Sequence, residues 1–488
     1  MSKKNQNYTN RKQNRFQPER MRGNVFVNNS GKQWLPGENG RAEKIERLLR
    51  GAKEEKKEIA GNMAGYKDSG VEEVKFIPKD WNTLRMKDAF NISKEIIGDK
   101  WTEAALLSLT TNGVKSITAD EQVGKRPKTF ATYQRVTKND IVMCLFDLDA
   151  SAVFSGLSGY DGMISPAYKI LKTKEQVLPE FANYYFQYIF EGRKYKKYAK
   201  SIRYTLSGEE FLRLLIVVPP LPEQQRIADF LDTKCGILDR TIDAVSRQIE
   251  DLEKYKKALI TKTVTKGICK KGEPERAMKD SGVEWIGEVP EEWSVSKVKY
   301  NFSTFKKIPG KESEKYERLS LTMNGVKHRE KWTAEGLQPK DFMSYQLLRK
   351  GDLVFRLIDL QNPSKSRRVA LSHDTGLISP AYTILHADNN KMLPEYAEMF
   401  FLMMSYLDVF NALGSCGVRS SINNAELMKI SVLVPPLAEQ QQIADYLDEK
   451  CKNINNRVQK RRQQLEWLKK YKKSLIFDYV TGKKRVEK

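Results

Sequence analysis

Apolar residues follow two rhythms along this chain, and each rhythm occurs twice. Short β-branched and aromatic runs, such as DIVMCLFDL from Asp140 and DLVFRLIDL from Asp352, are bounded by NG and GD turn signals and predict strands. A seven-residue rhythm then takes over. Leu231, Leu238, Val245, Leu252 and Leu259 recur at that interval, with Cys235, Ile242 and Ile249 four residues after the first three, which is the a/d stripe of a helix that pairs with another. Leu447, Cys451, Ile454, Val458, Leu465, Leu468 and Leu475 repeat the stripe, but Arg461 stands where the first has Val245, so pairing there should be locally imperfect. Each helix opens just after a proline pair, with Pro222 or Ala438 and then Glu223 or Glu439 in the first turn, where proline and an acidic side chain are favoured.

The doubling extends to the letters. KDSGVEEVKFIPKDW from Lys67 returns as KDSGVEWIGEVPEEW from Lys279, and SLTTNGVK from Ser108 returns as SLTMNGVK from Ser320, both offset by 212 residues. ISPAY recurs at Ile164 and Ile378, LPEFANYYF from Leu178 answers LPEYAEMFF from Leu393, and PPLPEQQRIADFLD from Pro219 answers PPLAEQQQIADYLD from Pro435. Copies of this length are a duplicated domain pair, since the units of a solenoid are far shorter. The predicted order is a basic extension at 1–66, a mixed domain at 67–220, a long helix at 221–267, a linker at 268–278, a second mixed domain at 279–436, a second long helix at 437–482 and a basic tail at 483–488. The fold class is therefore α+β, with two α/β-mixed domains separated by two long antiparallel helices paired as a coiled coil. About 40 helical residues extend roughly 60 Å, which matches about 17 base pairs at roughly 3.4 Å each.

Composition adds a partner. Lysine and arginine exceed aspartate and glutamate by 85 to 62, a formal charge of +23, which favours a polyanion such as nucleic acid. The extension carries 15 Lys/Arg against 7 Asp/Glu and reads as largely disordered, apart from a short helix in RAEKIERLLRGAKEEKKEI, where Ile45, Leu48 and Leu49 share a face. Cys144, Cys235, Cys269, Cys416 and Cys451 form no CxxC pair, and with three histidines they argue for a reducing cytoplasm and against a zinc site. No run reaches the length of a membrane span.

KDSGVEW with its following VPEEW, VPPLAEQQQIADYLD, and the tail YKKSLIFDYVTGK are similar to the specificity subunits of type I restriction-modification enzymes, and the resemblance covers residues 67–488. It implies that each mixed domain is a target-recognition domain reading one half of a split, asymmetric site on double-stranded DNA, while the helices fix the gap. It further implies two modification subunits, which bring S-adenosylmethionine and methylate adenine, and two restriction subunits, which use ATP and Mg2+. No cofactor is expected in this chain. The extension departs from the family pattern, whose members usually start near the KDSG element.

Base reading and phosphate clamping point to basic loops that differ between the copies. After NGVK the copies read SITADEQVGKRPKTFATYQ and HREKWTAEGLQPKDFMSYQ, equal in length and different in content. The candidates are Lys115, Lys125, Arg126, Lys128 and Arg135 in the first copy, and Lys327, His328, Arg329 and Lys331 in the second. A two-residue insertion gives the second copy NPSKSRRVALS, adding Lys365, Arg367 and Arg368, and the matched Arg203 and Arg419 suit a shared phosphate contact. Trp81, Trp293, Tyr168 and Tyr382 read as packing residues.

Catalysis finds no foothold in the motifs. QNPSK at Gln361 is a poor methyltransferase tetrapeptide, FSGLSG at Phe154 reads as a turn, and no GxxxxGK[ST] loop exists. The acidic pair DLD at Asp147 becomes DLQ at Asp359 in the second copy. The competing class is a stand-alone or architectural DNA-binding protein built from the same domains without catalytic partners.

Overall fold

The computed structural model describes residues 65–486 except 112, 119, 122–126, 192, 200–203, 269–271, 273–275, 332–340, 362–366 and 415–419. The chain is mixed α/β and divides into two compact units. Of the described residues, one unit comprises those at 65–179, Lys194–Gln224 and Thr481–Lys483; the other comprises Glu180–Arg193, Gln225–Val480 and 484–486. The second unit thus holds nearly all of both long helices. The extension, except its last two residues, lies outside the described residues.

In the first unit, a four-stranded antiparallel sheet runs in the order Phe90–Ser93, Lys169–Thr173, Ile141–Met143, Ser155–Leu157. The run at 140–148 becomes a short, fully buried central strand because Ile141, Val142 and Met143 are apolar on both faces. Beside it stands a hairpin of Leu107–Thr110 and Gly113–Ser116, in which Leu107 and Leu109 alternate into the core against Val114, Val136, Val142 and Ile170. Gly113 takes the left-handed φ of +89° that the NG turn demands, and Gly325 does the same at +88° in the second unit.

The second unit repeats this plan. Its sheet runs Phe302–Thr304, Thr383–Ala387, Leu353–Phe355, Val369–Leu371, all antiparallel. Its hairpin, Arg318–Thr322 with Gly325–Arg329, joins Gly376–Ile378 and Gln346–Leu348 through one parallel pairing of Arg318 with Leu377. The core centres on Trp293, Phe355, Tyr396, Phe400, Phe401 and Phe410, and it takes in Ile260 and Val264 from the first long helix and Ile443 and Leu447 from the second.

In both units the proline-proline motif does the same job. A strand pairs Leu215–Val218 with Asn82–Arg85, and its counterpart pairs Ser431–Val434 with Ser294–Lys297. The helix follows at once, and its first-turn glutamate accepts an indole hydrogen bond: Trp81 Nε1 to Glu223 at 3.1 Å, Trp293 Nε1 to Glu439 at 2.8 Å. The next residue is a glutamine with no exposed surface. Gln440 accepts from Leu393 N and donates to the carbonyls of Lys391 and Pro435, each at 2.8 Å, and Gln224 does likewise with Leu178, Gln176 and Pro219. Truncating such an amide strands buried backbone groups at about 1–3 kcal/mol. Gln440→Ala should therefore destabilise the second unit by about 3 kcal/mol, read as a lower urea midpoint with an unchanged slope.

The long helices run Leu221–Lys266 and Leu437–Val480. Val245, Ile249, Ile454, Val458 and Leu468 form one buried cluster, flanked by Leu238, Ile242, Leu252, Leu259 and Leu465. Polar contacts give the direction: Lys472 meets Asp239 at 2.6 Å, Arg462 meets Glu253 at 2.6 Å and Lys256 donates to Asn455 at 2.8 Å, so one helix descends as the other rises. Arg461 turns along its own helix to Gln464 at 2.7 Å and leaves the seam. Gly267 and Gly482, at φ +76° and +69°, follow the two helix ends in the left-handed conformation of a C-terminal stop. Beyond the second helix, Tyr66 Oη donates to Gly482 O at 3.1 Å and Lys483 Nζ donates to Phe76 O at 2.9 Å, which ties residues 481–483 into the first unit.

Cys144, Cys235 and Cys451 are buried free thiols, and burial pushes the Cys235 thiol up to about 11. Cys269 and Cys416 lie outside the described residues. Among the described residues no helix is long and apolar enough to cross a membrane.

Candidate nucleic-acid interface

The duplication places Lys115 and Lys327 at one structural position. Each sits on the second strand of its hairpin, in register with Ser108 or Ser320, and each is exposed. The strand explains why: Val114 and Val326 turn toward the core clusters, so the next residue must turn away. Arg329 is exposed two residues further along the same strand as Lys327. Lys128 is exposed in the first unit, and Arg135 is exposed with its guanidinium 3.1 Å from Glu95.

Other candidates are engaged by neighbouring carbonyls or carboxylates. Arg368 is buried and donates to the carbonyls of Ile358 at 3.1 Å, Asp359 at 3.0 Å and Leu360. Asp359 itself has a left-handed φ of +56°, so the guanidinium holds a strained turn together at the foot of the inserted loop. Arg367 donates to Met323 O at 3.1 Å and to Glu398 at 3.3 Å, and Lys331 donates to the carbonyls of Ser313 and Glu314 at 3.1 and 3.0 Å. His328 has Nδ1 2.5 Å from Glu317 and Nε2 3.1 Å from Asp374, so both ring nitrogens face carboxylates. In the cluster at 365–368, Arg367 and Arg368 thus turn to carbonyls of the hairpin turn and of residues 358–360, which a buried guanidinium satisfies. Lys125, Arg126, Arg203, Lys365 and Arg419 lie outside the described residues.

The tyrosines and tryptophans keep the packing role read from the sequence. Trp81 and Trp293 are fully buried, and Tyr168 and Tyr382 lie against the two hairpin cores with their hydroxyls pushed upward in pKa by burial. Sequence reasoning passed over Lys94 and Lys306, which share one repeat position and are both exposed. Lys94 stands next to Glu95, whose carbonyl accepts from Arg135 N at 2.8 Å, and Lys306 next to Lys307, whose carbonyl accepts from Leu347 N at 2.7 Å. The available signal was the repeat itself, which keeps a lysine at this offset in otherwise different text.

The chain is 25% identical, over 87% of its length and 98% of the relative's, to the type I restriction enzyme MjaVIII specificity subunit of Methanocaldococcus jannaschii. It shares its fold, at a TM-score of 0.56 and 12% identity over 83% of this chain and 98% of the other, with a chain from a solved type I R-M system. The HsdS subunit of Thermoanaerobacter tengcongensis aligns over 83% of this chain and 98% of its own, at 14% identity and a TM-score of 0.41. Residues 78–254 and 381–466, more than half of the chain, match the family described as the type I restriction modification DNA specificity domain, and the protein belongs to that family.

Proposed function

We propose that this chain is the non-catalytic address of a type I restriction-modification complex, with each repeat reading one half of a bipartite, asymmetric DNA site. The observation that carries the reading is the pair of equivalent hairpins presenting Lys115 and Lys327 at one repeat position, next to segments whose content differs between the copies. Equivalent lysines suit phosphate clamping, which carries no sequence information, while differing neighbours suit different half-sites. Lys125, Arg126, Lys128, Arg135, Arg203, Arg329, Lys365 and Arg419 are the further candidates for contact, joined by Lys94 and Lys306.

The long helices act in this reading as a coiled-coil spacer that fixes the gap between half-sites. Their outer surface leaves Tyr255, Trp467 and Tyr471 exposed, the last two stacked at 5.3 Å with rings 2° from parallel. Exposed aromatics on a basic helix pair suit the docking of partner subunits. Two modification subunits would supply S-adenosylmethionine and methylate adenine, and two restriction subunits would use ATP and Mg2+; this chain binds none of these.

Replacing Lys115 and Lys327 together by alanine should weaken binding to duplex DNA about tenfold at moderate salt and reduce the slope of log affinity against log salt by about 2, since each lysine accounts for about one phosphate. Titration of the full chain with its partners across a salt series measures both. An unchanged slope would remove these lysines from the interface.

A further inference from the structure

The second unit contains a polar connection whose two side chains are replaced in the first repeat. Arg367 stands at the end of the inserted loop, with its backbone N donating to Thr322 O at 3.3 Å and its Nε to Met323 O at 3.1 Å. Thr322 and Met323 are the turn of the Arg318–Arg329 hairpin, which a bond from Thr322 Oγ1 to Gly325 O at 2.9 Å closes. The other arm of the guanidinium, Nη1, meets Glu398 Oε1 at 3.3 Å. Glu398 lies on the helix Pro394–Tyr406 with its side chain only 13% exposed, and burial raises its pKa while Arg367 opposes that rise.

Beyond Glu398 the charges continue into the long helices. Lys256 on the first is depressed in pKa by burial and feels both Arg367 and Glu398, and its ammonium donates to Asn455 on the second at 2.8 Å. Tyr406, on the same helix as Glu398, has the ammonium of Lys257 on the first long helix 5.5 Å from its ring centre. The counterpart of Glu398 in the first repeat is Asn183, whose buried Oδ1 finds no partner, and the counterpart of Arg367 is Val153. The side chains of Val153 and Asn183 cannot make this ion pair.

We propose that Arg367 is a positioning residue that sets the specificity of the second half-site by fastening its hairpin turn to Glu398 and so to the helix pair. The inference rests on the DNA-reading role argued above. A planar guanidinium presents donors in fixed directions and holds a carbonyl and a carboxylate at once, whereas an ammonium is a single point. Hairpin and spacer are thereby one rigid piece in this half, and base-reading groups on Gly325–Arg329 keep a defined distance to the seam.

The test separates positioning from simple support. Arg367→Lys keeps a cation beside Glu398 without the fork. The double variant Arg367→Met with Glu398→Gln removes the connection and leaves no uncompensated buried carboxylate. Both variants, as full chains in complex with their modification subunits, are used to select bound sequences from randomised duplex DNA, alongside thermal unfolding. We expect both to unfold near the wild-type temperature, to lose about tenfold discrimination in the second half-site and to keep the first half-site unchanged. Wild-type discrimination in either variant would overturn the inference, and equal losses in both half-sites would assign Arg367 to general stability. A wild-type complex that selects no half-sites at all would overturn the DNA-reading role itself.

Discussion

Replacing residues 75–218 with the equivalent segment of another family member should exchange one half-site outright and leave the other intact. The segment contains the first hairpin, its four-stranded sheet and the closing strand Leu215–Val218. It stops short of Glu223 and Gln224, whose bonds to Trp81, Gln176 and Leu178 would have to be matched by the incoming sequence. A donor that carries tryptophan at the position of Trp81 keeps that junction. The expected change is large because specific sites exceed non-specific ones by about 4–10 kcal/mol, and a new half-site redirects a large share of that difference. Methylation mapping reads the outcome, and a change in both half-sites would refute independent modules.

The second large effect concerns the gap. Inserting four helical residues into each long helix, opposite one another near Val245 and Leu468, adds roughly 6 Å to the pair. That length corresponds to about one to two base pairs of duplex. A four-residue insertion shifts a seven-residue stripe by little and is absorbed as a local unwinding, so the cluster of Val245, Ile249, Ile454 and Val458 should re-form around it. The half-sites themselves should stay the same while the non-specific spacer lengthens by one or two positions. An unchanged spacer in an active variant would remove the helices from any measuring role.

Much of this architecture was legible before any coordinates. Matching text at offsets of 212 to 216 residues announced a duplication, and the prediction of a helix after each proline pair matches Leu221–Lys266 and Leu437–Val480 within two residues. The seam was legible because burial along a helix repeats with the chain: Val245, Ile249, Ile454 and Val458 were named from spacing alone and are buried. The work of Gln224 and Gln440 was not legible, since a glutamine in a helix normally faces water and only the returning loop shows its three bonds.

Where the candidate side chains point was less legible than the scaffold, and the reason is physical. Charge in a sequence has no direction. Arg367 and Arg368 carry the same formal charge as Lys327, yet the carbonyls of Met323, Ile358 and Asp359 draw their guanidinium groups inward, while the alternation around Val326 turns Lys327 out. Strand alternation can be read from sequence, and it turns Lys115, Lys327 and Arg329 outward; loops offer no such rule, so the direction of Arg367 and Arg368 was not legible. Asn183 and Glu398 show the same limit from the other side, because their equivalence in the repeat gave no hint that only one has an arginine to meet.

The account stands or falls on whether this chain supplies an address that others act upon. The most direct measurement co-expresses it with a candidate modification subunit and maps adenine methylation across a genome by single-molecule sequencing, beside controls lacking either protein. The account predicts a single bipartite, asymmetric motif that appears only when both are present. An intact complex that methylates no motif, or a motif that persists without this chain, would contradict it.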